Sequence, residues 1–394
     1  MQGPVDIIER KPEYGGGSIV NLTASLVEAA GANPAYPPLA LLERAALADA
    51  RHLILLVIDG LGRELLSSVA EAEALRGDVA GTITSVYPPT TATAVTAFLT
   101  GLAPQQHGLT GWFMHFASLG AVVTVLPFTT RLGNASLHSA GVDPAELLGH
   151  TPIFDLLPCR SFSVAPHDIA NSAFNRSHTG RAEVRPYKTL EDFFAALTAI
   201  VRTRDERTCT YAYWPHVDRL AHEHGPASET VHAHIVAFDR AYERFLEATA
   251  GTGTALLATA DHGFVDVDPA KLIDMADHRE LKDSLLLPLC GEPRTAYCYV
   301  AADRADAFER YVERELGHAM LCVPSAALLE QGYFGTGEAH PELRARIGTH
   351  TLLARPGYTV IDRVPGEKPF RLRGVHGGGS LAELEVPLIA SLPR

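Results

Sequence analysis

The stretch His52–Asp59 reads HLILLVID and is followed at once by Gly60-Leu61-Gly62. An apolar run with no polar alternation has no face that can be left in water. As a strand it must be covered on both sides, which points to a parallel sheet between helices. Val122–Leu126, Cys209–Trp214 and Ala255–Thr259 read as further strands of this kind. Helical patterns lie between such runs at Ala92–Leu99, Leu190–Arg202 and Glu229–Thr249. Strands alternating with helices predict an α/β fold with a mostly parallel sheet. Ligands of such sheets gather at the carboxyl ends of the strands. Asp59, Asp218 and Asp261 all stand at or just beyond such ends.

The segment 296–374 has a different texture. Ala296–Val300 reads as a strand, Ala305–Leu316 as a helix, and His350–Ala354 and Tyr358–Asp362 as further strands. It is expected to form a smaller α+β insertion, with residues 1–295 and 375–394 making the catalytic core. Phe113–Lys188 is a candidate second insertion over the site. The stretch Met1–Gly17 has no apolar run of the kind a secretory signal needs. The longest apolar runs, Leu53–Ile58 and Ala121–Pro127, are too short to cross a bilayer. The five cysteines form no C-x-x-C pair, which fits free thiols in a reducing compartment. A cytoplasmic location without membrane attachment is expected. The net charge of −13 argues against a groove for duplex nucleic acid. An anionic substrate remains compatible with it, because bound divalent cations reverse a local field.

The chemistry-bearing residues form a set. Asp218 and His222 occur as D-x-x-x-H, which places both on one face of a helix starting near Asp218. Asp261-His262 follows a strand in ATADHG, and His376 stands in VHGGGS. Each piece has an ordinary explanation alone: a turn aspartate, a surface ion pair, a glycine turn. Together with Asp59 they offer three carboxylates and three imidazoles. Mixed Asp/His ligation suits zinc, and also manganese or iron.

A hydroxyl nucleophile is available in the same region of the chain. Pro88-Pro89 ends one segment, and Thr90 or Thr91 then opens a helix of small residues from Ala92 to Ala97. The free N–H groups and positive end of a helix can receive phosphate oxygens beside such a hydroxyl.

These motifs resemble those of the alkaline phosphatase superfamily, in particular its type I phosphodiesterase/nucleotide pyrophosphatase branch. The matching pieces are Ile58-Asp59-Gly60, Pro88–Thr91, Thr100-Gly101-Leu102, His107-Gly108, Asp218 to His222, Ala260–Gly263 and His376-Gly377. They span about 320 residues. The resemblance implies an alkaline phosphatase-like three-layer α/β/α core, and two divalent metal ions, zinc with manganese as the alternative. One ion would be held by Asp218, His222 and His376. The other would be held by Asp59, Asp261 and His262, with the Thr91 oxygen as a further ligand. Thr91 rather than Thr90 is the implied nucleophile, because it lies nine residues before Thr100 as the family nucleophile does. His107 is expected to be a structural turn residue. The implied activity is hydrolysis of a small phosphate ester, a nucleotide being one such substrate, through a phospho-threonine intermediate.

The chain departs from the family pattern in places. Leu109-Thr110-Gly111-Trp112 holds no Asn where many nucleotide pyrophosphatases carry a phosphate donor, and Ala221 replaces a Gly. The Phe-Pro-Asn-His of the animal enzymes is missing from Thr90–Thr96. Trp112, Phe113, Tyr213 and Trp214 are candidates to stack a base. Cys290-Gly-Glu-Pro-Arg294 has the order C-x-x-P-R, not the C-x-P-x-R of sulfatases, and lies far along the chain from Thr91. Arg294 is a candidate phosphate ligand, with a structural role the commoner alternative. His216, His224 and His278 are expected to be exposed or to act behind the ligands. The rival functions are a phosphomonoesterase on the same core and a non-catalytic metal-binding protein on an enzyme scaffold.

Overall fold

The computed structural model of the chain describes residues 7–393. Residues 1–6 of the Met1–Gly17 stretch, and Arg394 at the far end of the expected core, lie outside the described residues. The principal sheet has seven strands: β1 (His52–Ile58), β2 (Val79–Thr84), β3 (Arg160–Pro166), β4 (Glu183–Tyr187), β5 (Thr208–Trp214), β6 (Thr254–Thr259) and β7 (Glu385–Ser391), in the order β2-β7-β6-β1-β5-β3-β4. Strands β6, β1, β5, β3 and β4 are parallel in succession, and β7 runs antiparallel to both of its neighbours. Every residue of β1 and β5 is buried, so helices and loops cover both faces of the sheet as the unbroken apolar run requires. Helix α1 (Ile19–Ala29) packs on α2 (Thr91–Thr100), and α3 (Leu190–Thr203) packs on α5 (Glu229–Thr249), next to α4 (His216–His224). This is the expected mixed α/β architecture with a mostly parallel sheet.

A second sheet of seven strands is antiparallel throughout. It runs Met320–Pro324, His350–Ala354, Thr295–Cys298, Cys290–Glu292, Phe113–Phe116, Ala121–Thr124, Thr129–Thr130. The run expected as a parallel strand at Val122–Leu126 therefore belongs here, as Ala121–Thr124. The reason is local. Residues 117–120 form a tight turn back from Phe113–Phe116, and a connection that short permits only a hairpin, since a parallel pair needs a long crossover. The sheet draws strands from 113–130 and 290–298 as well as from the expected insertion, and residue 296 lies inside one of its strands. The predicted helix Ala305–Leu316 is α-helical to Tyr311 and continues as a π-turn over Val312–Leu316. Arg131 ties the hairpin region to the rest. Its buried guanidinium lies over the Phe113 ring, donates to the carbonyls of Leu289 and Asp362, and pairs with Glu367.

Two short ribbons matter for the site. Val265–Asp266 pairs antiparallel with Gly374–Val375, which brings the residue after Val375 back beside the end of β6. Leu272–Asp274 pairs with Thr359–Ile361, the observed core of the predicted strand Tyr358–Asp362. Among the described residues no helix is long and apolar enough to cross a membrane.

Beneath α2, His107 and His178 are buried and the half-buried His150 joins them in a chain. His150 Nε2 donates to the His107 carbonyl at 2.6 Å, and His150 Nδ1 lies 3.1 Å from His178 Nε2. His107 Nδ1 accepts the Leu109 amide at 3.1 Å, so His107 is a structural residue of its turn, as expected. Burial, with the neighbouring imidazoles, pushes His107 well below the usual histidine range and His150 down to about 3; burial alone takes His178 to about 4. The folded chain therefore holds these rings neutral where the unfolded chain, with an ordinary value of 6.5, binds protons. Their stabilisation is complete above about pH 6.5 and is lost as the pH falls towards 4. The melting temperature is expected to drop across that window, and His178→Gln, which cannot take a proton there, to flatten the drop in a thermal-melt series against pH.

Candidate active site

The three adjacent parallel strands β6, β1 and β5 end side by side, and each delivers an aspartate. Asp59 follows β1 directly, and its amide donates to the Trp214 carbonyl at the end of β5. Gly60 then turns the chain at φ +77°; a Cβ there would stand 2.6 Å from the Phe264 ring and 3.0 Å from the Asp218 Cα. The Asp218 amide donates to the Asp59 carbonyl at 3.0 Å, which locks the first turn of α4 onto the end of β1. Asp261, two residues past β6, accepts the amides of Gly60 and His262 on Oδ1, both at 3.0 Å. Its own carbonyl accepts the Ser85 hydroxyl.

These turns gather the six predicted side chains. Asp218, His222 and His376 form one group, and Asp59, Asp261 and His262 another, each with potential ligand atoms within 4.8 Å of one another. The groups adjoin: His262 Nε2 is 4.0 Å from Asp218 Oδ1. Thr91, the first residue of α2, places its Oγ 3.1 Å from His262 Nε2.

The hydrogen bonds around the six define which atoms face the gap. His222 Nδ1 lies 2.8 Å from the Gly374 carbonyl, His262 Nδ1 3.1 Å from that of Gly263, and His376 Nδ1 3.2 Å from that of Pro89. A carbonyl only accepts, so each Nδ1 carries the proton and each Nε2 is left with its lone pair. The Nε2 atoms point at carboxylate oxygens: His222 at Asp218 Oδ1 (3.3 Å), His262 at Asp59 Oδ1 (3.4 Å) and Asp261 Oδ2 (3.5 Å), His376 at Asp218 Oδ1 (3.7 Å). A bare lone pair facing a carboxylate oxygen is repulsive unless a proton or cation lies between. Asp59 Oδ1, Asp218 Oδ1 and Asp261 Oδ2 are all buried with no hydrogen-bond partner. Three orphaned carboxylate oxygens and three orientated imidazole lone pairs around one gap are a donor set that fits divalent cations.

The electrostatics agree. Burial, then the charges of Asp261 and Asp218, holds the Asp59 carboxyl well above the usual range, although Tyr213 donates to its Oδ2. Burial also works to raise Asp218, but His222 and His262 outweigh it and keep that carboxyl below its ordinary value. For His222 burial is overcome by Asp218, and the ring is raised. Burial and the neighbouring His262 and His222 push His376 well down.

A cavity of about 530 Å³ opens over these groups. Thr90, Thr91, Asp218, His222 and His376 lie at its floor, with Trp112, Phe113, Leu289, Val360, Phe370 and Leu372 among its walls. Of the aromatics considered for base stacking, only Trp112 and Phe113 line it. Tyr213 is buried against Asp59, and Trp214 stacks on Tyr187 and His234 inside the core. Arg294 does not line the cavity. It is buried, pairs with Glu383 at 2.8 Å and donates to the Tyr358 carbonyl, the structural role. His216 lies 3.0 Å from an Arg219 nitrogen, His224 beside Glu223, and His278 against the Tyr311 hydroxyl; none joins the six.

Sequence reading missed Glu292. It stands inside the C-x-x-P-R segment, whose distance along the chain from Thr91 does not carry over into space. The second sheet folds it back so that Glu292 Oε1 accepts the Thr90 hydroxyl and the Trp112 amide, both at 2.7 Å. Thr90 is the N-cap of α2 and makes no side-chain cap bond; its hydroxyl donates to Glu292 instead. Burial pushes the Glu292 carboxyl up to about 7 against those two hydrogen bonds. A glutamate between Gly291 and Pro293 carries little signal in the sequence. Tyr213 and Ser85, which brace Asp59 and Asp261, were missed for the same reason: their partners lie far away in sequence.

Replacing Arg294 separates the two roles considered for it. Arg294→Met is expected to destabilise the fold by about 3–5 kcal/mol, because it leaves the Glu383 carboxylate buried and unpaired. KM of the folded fraction should stay unchanged in steady-state assays, whereas a lost phosphate ligand would raise it.

Residues 53–378 match the family described as "Type I phosphodiesterase / nucleotide pyrophosphatase". No curated protein matches the chain in sequence. Among solved structures, murine ectonucleotide pyrophosphatase/phosphodiesterase 5 aligns at TM-score 0.64 and 17% identity, over 86% of this chain and 87% of that one. An inactive form of it in complex with AMP aligns at TM-score 0.63 and 16% identity, over 86% and 87%. Phosphonoacetate hydrolase from Sinorhizobium meliloti in complex with phosphonoacetate aligns at TM-score 0.62 and 18% identity, over 87% and 90%.

Proposed function

The chain belongs to the type I phosphodiesterase/nucleotide pyrophosphatase family and is a phosphoric ester hydrolase; on that premise we propose that it works through a phospho-threonine intermediate on Thr91 beside two divalent cations. Asp218, His222 and His376 would hold one cation, and Asp59, Asp261 and His262 the other, with the Thr91 oxygen as a further ligand of the second. The observation that carries this reading is the trio of buried carboxylate oxygens without partners, facing three imidazole Nε2 atoms beside the Thr91 hydroxyl. Zinc is the metal proposed first, because the donors mix imidazole with carboxylate; manganese is the alternative. When bound, such ions lower the pKa of a coordinated hydroxyl and stabilise negative charge on a leaving oxygen.

The chain's own residues supply position. Thr91 sits where α2 begins, with the positive end of the helix directed at the floor of the cavity. Its Oγ forms the bond to phosphorus as the bond from phosphorus to the ester oxygen breaks, and the Thr91 proton passes to solvent while the leaving group departs as an alcohol. Water then cleaves the Thr91–phosphorus bond, restoring the hydroxyl and releasing a phosphate monoester. The carbonyls of Gly374, Gly263 and Pro89 keep the three imidazoles in one tautomer and orientation throughout. Trp112 and Phe113 offer faces for an aromatic leaving group, and the AMP seen in the murine neighbour supports a nucleotide as one substrate. The five thiols are all free, which supports the cytoplasm as the compartment.

Hydrolysis of bis-p-nitrophenyl phosphate with added zinc or manganese tests the reading directly. Thr91→Ala should abolish turnover while elemental analysis still finds the wild-type metal content. If that variant kept its activity, the nucleophile would be another group. Asp261→Ala should lose about one metal equivalent per chain; an unchanged stoichiometry would contradict its place in the donor set.

A further inference from the structure

The carboxyl group of Glu292 is fixed where it serves neither fold nor donor set alone. It is buried, 7% exposed, yet it lines the cavity over Thr91. Both of its hydrogen bonds fall on Oε1, and one comes from Thr90, the residue before the nucleophile. Two short bonds, from a side-chain hydroxyl and a backbone amide, hold the carboxyl in place. Oε2 takes no hydrogen bond from the described residues. A phosphate at the Thr91 oxygen therefore shares its cavity with a clamped acidic group.

The cationic side chains lining the cavity do not offset that group. Arg131 is spent on Glu367 and two carbonyls, and Arg363 on Asp274. Lys368 remains, and it is exposed on the loop at the rim. Beyond Glu292 the wall turns apolar at Leu289, Val360, Phe370 and Leu372. A phosphate diester carries one negative charge and a second organic group, and the apolar wall receives that group. A monoester carries a second charge instead, and that charge meets the Glu292 carboxylate, where like charges repel.

We propose that Glu292 is a specificity-determining residue, a charge filter by which the cavity takes singly charged phosphodiesters with apolar substituents and turns away doubly charged phosphate monoesters. This rests on Thr91 as the point of attack. It adds a residue that chooses between ester classes, which family membership does not identify.

Steady-state assays at mildly alkaline pH, with matched metal content and melting curves, compare bis-p-nitrophenyl phosphate and p-nitrophenyl phosphate for the wild type and Glu292→Gln. The amide keeps the shape and can still accept from Thr90 and Trp112. The monoester-to-diester ratio of kcat/KM should rise by about tenfold or more, the effect of removing one nearby charge in a poorly screened site. A ratio unchanged within about twofold overturns the filter. A second measurement needs no Glu292 variant to fold and no turnover. Calorimetry on Thr91→Ala should find dimethyl phosphate bound more tightly than inorganic phosphate; the reverse order overturns the filter. Should the wild type hydrolyse neither ester, the nucleophile reading fails, and the calorimetric order still decides the filter.

Discussion

Asp59, Asp218 and Asp261 lie close enough together, and deep enough, to repel one another, and the ends of β6, β1 and β5 are built around that repulsion. Burial and mutual charge drive Asp59 far above its ordinary range. Asp218 escapes the same fate only because His222 and His262 stand against it. Each carboxylate has a buried oxygen without a hydrogen-bond partner, and each imidazole has its proton committed to a backbone carbonyl on the side away from the gap. A folded chain does not ordinarily leave three such oxygens unsatisfied. Their arrangement has physical sense when positive charge enters the gap, which is why the donor set and the proposed chemistry cannot be separated.

The surroundings convert that constraint into a site with direction. Backbone contacts between successive turns leave little freedom: the Asp218 amide is bonded to the Asp59 carbonyl, and the Gly263 amide to the Glu383 carbonyl. Glu383 is in turn held by Arg294 and by the Gly378 amide, so the buried ion pair steadies the turn that follows His376. The second sheet contributes no member of the donor set. It contributes the walls, and through Glu292 a group that reaches back to the helix carrying Thr91. The donor set and the cavity wall are thus divided between two sheets with different strand patterns.

Much of the first sheet is legible in the chain. The run of β1 is buried along its whole length, as is β5, and β6 is buried from Ala255 on, which is the covering that their apolar residues call for. Strands such as β3, RSFSVAP, and β4, EVRPY, are not legible, because polar residues and a proline interrupt the pattern where the sheet approaches its edge. Ala121–Thr124 reads as apolar enough for the central sheet and ends in the other, since its partner is decided by a tight turn before it. Arg294 could be read as a phosphate ligand because an arginine near a glutamate in sequence carries no sign of which group it will meet. Glu383 lies 89 positions away.

What the sequence by itself determined was the set of residue types and their place at strand ends: Asp59, Asp218, His222, Asp261, His262, His376 and Thr91 belong to motifs whose local backbone is fixed by the strand before them or the helix they open. What only the tertiary structure decided was orientation and company. Which imidazole nitrogen faces inward depends on carbonyls at Gly374, Gly263 and Pro89, two of them far along the chain from the ring they hold. That Glu292 stands beside Thr90 depends on an antiparallel sheet closing over the floor of the cavity. Local propensity acts over a few residues, whereas a charge acts on whatever packing brings near it, and only the folded chain defines that neighbour.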